Sequence, residues 1–328
     1  MAWPWKALPH HSKELPSLQA QRAFYNGTLN LAPMQALHQG PAGPRSANGA
    51  ALSPRSTASP MPLPAATAKV IHPGPTTLAY FDEGSGPALV LLPSVGRGPA
   101  DFDQLTRLLV AQGLRIIRPL PRGIGASQGP MQGLTLHDLA ADVAAVIEAE
   151  DLAPVAVAGH AFGNFVARTL ATDRPELVRG VALVAASTGK TPDGGSPFDP
   201  EVLRSVYACG DLSLPRAQRL EHLQHAFFAP GHDPSAWLEG WHPQTKAMQR
   251  EAETATPVDD FFACGSAPIL DLQAAQDTVA PRHLAQFLRQ SLGERVTIQV
   301  IDNAGHALVP EQPEQVCQAL AVWVKRLH

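Results

Sequence analysis

Two residues in the last third of the chain have the chemistry of a base and its partner. Asp277 stands in Gln276-Asp277-Thr278-Val279, and His306 in Ala304-Gly305-His306-Ala307. A carboxylate that accepts from one imidazole nitrogen fixes the tautomer and stabilises the imidazolium, leaving the other nitrogen free to take a proton. Such a base commonly serves a nucleophile, and the stretch shaped to carry one is Ala158-Gly159-His160-Ala161-Phe162-Gly163-Asn164. An apolar run ends at a glycine, a second glycine follows after three residues, and a helical pattern begins at once. That is a strand, a sharp turn and a helix, in the form Gly-x-Ser-x-Gly, except that the middle position holds Ala161. A methyl group cannot attack a carbonyl. A fourth segment, Leu92-Pro93-Ser94-Val95-Gly96-Arg97-Gly98, ends an earlier apolar run. Its amides, that of Val95 in particular, could join the Phe162 amide to hold an oxyanion. Ser94 would serve at that corner or simply as a turn residue.

These segments need a scaffold that brings strand ends together. Val70-Ile71, Thr77 to Tyr80, Ala88 to Leu92, Leu114 to Arg118, Val155 to Ala158, Val178 to Val184, Ile269 to Leu272 and Val296 to Ile301 read as strands. Between them, helical spacing marks Asp103 to Leu109, Leu136 to Ile147 (behind a capping box of Thr135 and Asp138), His283 to Leu292 and Val316 to Leu327. Strands alternating with helices imply an α/β fold with one doubly wound, mostly parallel sheet. In such a sheet the site lies outside the carboxyl ends of the strands.

The alternation stops between Ser187 and Cys264. This stretch holds helix-like segments (Glu201 to Tyr207, Arg216 to Phe227) and the aromatic runs Phe227-Phe228 and Trp237 to Trp241. It is longer than a loop requires, and it reads as a helical cap over the carboxyl edge of the sheet. The expected organisation is a core of 67–187 and 265–328, with the cap at 188–264. Trp237 and Trp241 would either wall the pocket or fill the core of the cap, and His160 would sit beside the turn. Residues 1–66, rich in Pro, Ala, Ser and Gln with a single acid at Glu14, read as disordered. That segment is a tail, an upstream extension before a start at Met61, or a targeting segment.

Composition narrows the function. With 25 Lys and Arg against 29 Asp and Glu the net charge is −4, which does not favour nucleic acid or an anionic membrane surface. No apolar run is long enough for a membrane span, so a cytoplasmic location is expected. Cys209, Cys264 and Cys317 are odd in number and far apart, which argues against a disulfide framework. His10-His11 and the His222/His225 pair lack clustered carboxylates, so no metal is expected. No phosphate loop and no dinucleotide fingerprint occur, so no cofactor is expected and the partner is a small-molecule substrate.

Taken in order, these segments resemble the α/β-hydrolase fold superfamily over nearly all of 68–328. The resemblance rests on the turn at Gly159 to Gly163, on Asp277 and His306, and on Arg122-Gly123-Ile124-Gly125-Ala126-Ser127, similar to the family's R-G-x-G-x-S loop. It also rests on Arg174-Pro175-Glu176-Leu177-Val178 and on Gly305-His306. It implies a capped hydrolase acting on a small apolar, ester-like carbonyl substrate, with a His306–Asp277 dyad, Val95 and Phe162 as oxyanion amides and position 161 as the nucleophile. Two departures stand out: Pro93-Ser94 replaces the usual His-Gly, and Ala161 removes the acyl-enzyme route. Three readings follow. The chain is a serine-type hydrolase carrying a Ser-to-Ala change. Alternatively, it is an enzyme in which His306 alone is the base, for hydrolysis, lyase or cofactor-free oxygenase chemistry. The third reading is a non-catalytic ligand-binding relative.

Overall fold

A computed structural model of the chain describes residues 67–193 and 198–328. The expectations for 1–66, including Met61, lie outside the described residues. Eight strands form one sheet: β1 (Lys69–Ile71), β2 (Leu78–Gly84), β3 (Ala88–Leu92), β4 (Arg115–Pro119), β5 (Val155–His160), β6 (Val178–Val184), β7 (Ile269–Ala274) and β8 (Val296–Ile301). Their order is β1-β2-β4-β3-β5-β6-β7-β8. β1 and β2 pair antiparallel, as do β2 and β4, and every pairing from β4 to β8 is parallel. The sheet is thus doubly wound and mostly parallel, as its alternating elements require.

Its helices are α1 (Asp103–Ala111), α2 (Leu136–Ala149), α3 (Gly163–Asp173), α4 (Pro200–Ala208), α5 (Arg216–Ala226), α6 (Pro243–Ala255), α7 (Val258–Phe262), α8 (Arg282–Leu292), α9 (Leu308–Glu311) and α10 (Pro313–Leu327). The central strands are apolar throughout because both faces are covered. In β3, Val90 and Leu92 join the core beneath α2 and α3, while Leu89 and Leu91 join the core beneath α1 and α10. Val155 and Val157 of β5 divide from Ala156 and Ala158 in the same way. At the start of α2 the Asp138 carboxylate accepts from the Thr135 amide at 2.8 Å and from its hydroxyl at 2.7 Å, which satisfies groups a helix N-terminus leaves open.

Four helices, α4 to α7, lie between β6 and β7. Apolar side chains of the insert between Val206 and Trp241, among them Leu223, Phe227, Phe228 and Trp237, form a separate cluster that reaches the core at Val279 and Ala307, whereas Met248, Ala252, Phe261 and Phe262 of α6 and α7 join the core beneath α2 and α3. The sequence reading marked α4 and α5 in this insert. It did not mark α6, where polar residues dominate Pro243 to Ala255, or α7, which is a short helix of Val258 to Phe262. No helix among the described residues is long and apolar enough to cross a membrane.

Candidate functional site

The turn after β5 is made by contact, and its two glycines are needed for room. A Cβ on Gly159 would lie 2.3 Å from the Gly163 backbone, and one on Gly163 would lie 2.4 Å from the Leu92 carbonyl oxygen. Neither position tolerates a side chain. Ala161 sits between them at φ +47, in the left-handed region. For a residue with a Cβ this costs on the order of 1–2 kcal/mol, which the surrounding packing must offset. Its amide donates to the Val184 carbonyl at 2.9 Å, and its carbonyl accepts from the Asn164 amide at 3.1 Å and from the Asn164 side chain. The backbone of a strained strand-to-helix turn is therefore intact around a side chain of one methyl.

Asp277 and His306 come from the ends of β7 and β8. The imidazole Nδ1 lies 2.9 Å from Asp277 Oδ2 and 3.1 Å from Oδ1, with both side chains buried. Asp277 Oδ1 also accepts from the amides of Val279 at 2.9 Å and Ala280 at 2.8 Å. These backbone donors orient the carboxylate, and Nδ1 donates to it, so the lone pair of His306 resides on Nε2. Such an imidazole can accept a proton from water or substrate while the carboxylate balances the charge gained.

His160 is fully buried and packs against His306, ring centroids 5.6 Å apart, and against Trp237 at 5.4 Å. Its Nε2 donates to the His306 carbonyl at 2.9 Å. Burial, reinforced by the neighbouring His306, pulls its pKa down to about 3, so this ring is neutral at ordinary pH. His160 is thus a strut beneath the histidine loop.

Ser94 and Val95 follow β3 and are buried. Next to them, the Gly96 amide donates to Gln249 Oε1 at 2.7 Å and the Gly96 carbonyl accepts from the His242 amide at 2.9 Å, so the insert holds this corner. Among the described residues, neither the Val95 amide nor the Phe162 amide donates a hydrogen bond within the protein. Buried N–H groups are nearly always satisfied, so two such donors flanking one turn are available to a ligand oxygen.

Trp237 and Trp241 both belong to the core of the insert. The Arg97 guanidinium lies between them, 5.1 Å from the Trp237 ring centroid and 4.7 Å from that of Trp241. It also pairs with Asp101 and donates to the Trp237 carbonyl at 3.2 Å and the Glu239 carbonyl at 2.6 Å. Trp237 still reaches the site through His160. Trp241 packs on Phe227 and donates its indole N–H to the Trp237 carbonyl at 2.7 Å. A cavity lies against Leu92, Pro93, Phe162, Val143, Val146 and Met248. The Arg122–Asp142 ion pair at 2.7 Å forms its polar edge.

Sequence reasoning missed three residues that hold this arrangement: Arg97, Gln249 and Glu311. Each bonds backbone groups or rings far away in the chain, so no local pattern announces it. Elsewhere, His222 meets the Ser205 hydroxyl at 3.2 Å. Among the described residues no group of three His, Cys, Asp or Glu could hold a metal ion. The three cysteines are buried free thiols, and burial pushes those of Cys209 and Cys264 up to about 12.

Comparison with known proteins agrees with this fold. The model of the alpha/beta hydrolase family matches residues 89–319. A pyrrolizixenacetamide deacetylase of Xenorhabdus hominickii is 30% identical over 249 residues, which cover 74% of this chain and 92% of that protein. A non-heme chloroperoxidase of Streptomyces lividans is 27% identical over 244 residues, covering 69% and 87%. Among solved structures, a thermophilic esterase from Thermogutta terrifontis superposes with a TM-score of 0.65 at 21% identity, covering 80% of this chain and all of that one (100%). The chain therefore belongs to the alpha/beta hydrolase family.

Proposed function

We propose that the protein is a capped hydrolase acting on a small, apolar, ester-like carbonyl substrate. In this reading His306, oriented by Asp277, is the base, the Val95 and Phe162 amides receive the oxyanion, and residues 188–264 are the cap. The observation that carries it is the His306–Asp277 pair at 2.9 Å beside a turn that keeps φ +47 at residue 161. With Ala161 no acyl-enzyme forms. Instead, His306 Nε2 removes a proton from water as the water attacks the carbonyl, and returns it to the leaving group as the tetrahedral intermediate collapses. The apolar part of the substrate occupies the cavity beside Phe162 and Met248.

The test is ester turnover by the protein and by its Ala161→Ser variant. Restoring the hydroxyl should raise turnover at least a thousandfold and up to about a millionfold. His306→Ala in the unaltered Ala161 protein should abolish the slow residual activity. No ester turnover by either protein, with the fold intact by circular dichroism, overturns the hydrolase reading.

A further inference from the structure

Glu311 has no place in the chemistry above, yet its buried carboxylate joins two segments that meet at His306. Oε2 accepts from the Gly305 amide at 2.6 Å and Oε1 from the Ala229 amide at 2.6 Å. Gly305 immediately precedes His306, and Ala229 belongs to the insert. On the other side of His306, the Ala307 amide donates to the Phe227 carbonyl at 2.8 Å. Farther along the same insert segment, the Thr278 hydroxyl donates to the Ala226 carbonyl at 3.0 Å. Contact between the two backbones is tight: a Cβ on Gly305 would lie 2.6 Å from the Phe227 carbonyl oxygen and 2.8 Å from the Ala229 nitrogen. The Phe227 ring itself stands 5.5 Å from the His306 imidazole.

We infer that Glu311 is a positioning residue that sets the His306 imidazole against Asp277 by clamping the Gly305 and Ala229 amides to one carboxylate. The role needs two acceptor oxygens at one fixed spacing. Glutamine offers one acceptor and turns N–H toward the second amide, so it keeps one arm and repels the other. Aspartate keeps both acceptors but is one methylene shorter, so it does not span the gap. Burial raises the carboxyl pKa of Glu311, and the two amide bonds oppose that rise by favouring the ionised form. As a statement about catalysis the inference rests on His306 being the base; as a statement about geometry it does not.

The experiment has two readouts. In the unaltered protein and in Glu311→Gln, the His306 Nδ1 proton is observed by NMR. A hydrogen-bonded signal should be present in the first and be lost or broadened in the second. In the Ala161→Ser background, Glu311→Gln should lower kcat about 10- to 100-fold with KM within about twofold, since a misplaced base slows chemistry more than binding. An unchanged Nδ1 signal and unchanged kcat, with only a lower Tm, overturn the inference and leave Glu311 as a structural tie. Should Glu311→Gln not fold, Glu311→Asp and amide exchange in the unaltered protein decide. Gly305 and Ala229 should both be protected and open together, and rapid or independent exchange of either overturns the clamp. If Ala161→Ser is inert while the NMR signal depends on Glu311, the hydrolase reading fails and the positioning role stands.

Discussion

The turn at Ala161 and the loop at His306 converge on one place but are held there by opposite means. The turn is a product of the sheet. Gly159, Gly163 and Leu92 meet backbone to backbone, and Ala161 is fixed by a bond from its amide to the end of β6. The histidine loop leans on the insert, through Glu311, the Phe227 carbonyl and the Phe227 ring. Backbone packing in the core alone therefore holds Ala161 in its strained turn. The histidine loop adds to its tie from β5, the His160 donor, a set of contacts that come from the insert.

This contrast can be broken from either side. The largest effect is expected from Arg97→Ala. It strands Asp101, two carbonyls and the faces of Trp237 and Trp241, and should cost about 3–5 kcal/mol in urea unfolding, with a change in tryptophan fluorescence. Loss of less than about 1 kcal/mol would mean the insert does not rely on it. Gly159→Ala attacks the sheet side and should cost about 3 kcal/mol because its Cβ strikes backbone that cannot yield. Unlike Arg97→Ala it should leave the tryptophan emission unchanged in the folded state. Ala161→Gly should stabilise the protein by about 1 kcal/mol by relieving φ +47. A neutral or negative result would show that the methyl packs well enough to offset the strain.

The smallest effect concerns two histidines of opposite sign. His137 of α2 lies 2.7 Å from Asp173 of α3 and 3.5 Å from Asp260 of the insert, and its hydrogen bond with Asp173 raises its pKa above 6.5. Its contribution is present in full below about pH 6.5 and fades as pH rises through the raised value. Because the ring is partly exposed, that contribution is less than about 1 kcal/mol. His160 behaves in reverse, since burial lowers its pKa from 6.5 to about 3 and stability falls as pH drops through that window. Unfolding between pH 8 and pH 4 should therefore show His137→Gln flattening a small gain toward acid, on top of a larger acid loss that the variant leaves untouched.

Strands and core helices were legible in the sequence because both faces of a parallel sheet must be apolar and the helices amphipathic. The turn was legible because two glycines and an apolar run have few other uses. Asp277 and His306 could be named because each follows a strand end. The insert was read only in part: α6 is polar over most of its length, and its Gln249 matters for one hydrogen bond to Gly96. The two tryptophans could be assigned to pocket or core only once Arg97 was seen between them.

By itself the sequence determined the fold class and the alanine at the centre of the Gly159 to Gly163 turn, since hydrophobic period and glycine spacing are local properties. Only the tertiary structure decided that Glu311 clamps the histidine loop, that Gln249 and His242 hold the Gly96 corner, and that the open space lies beside Phe162 and Met248. The physical reason is that these contacts join side chains to backbone groups distant in sequence. A backbone amide is the same in every residue, so nothing in the letters marks which one a carboxylate will find.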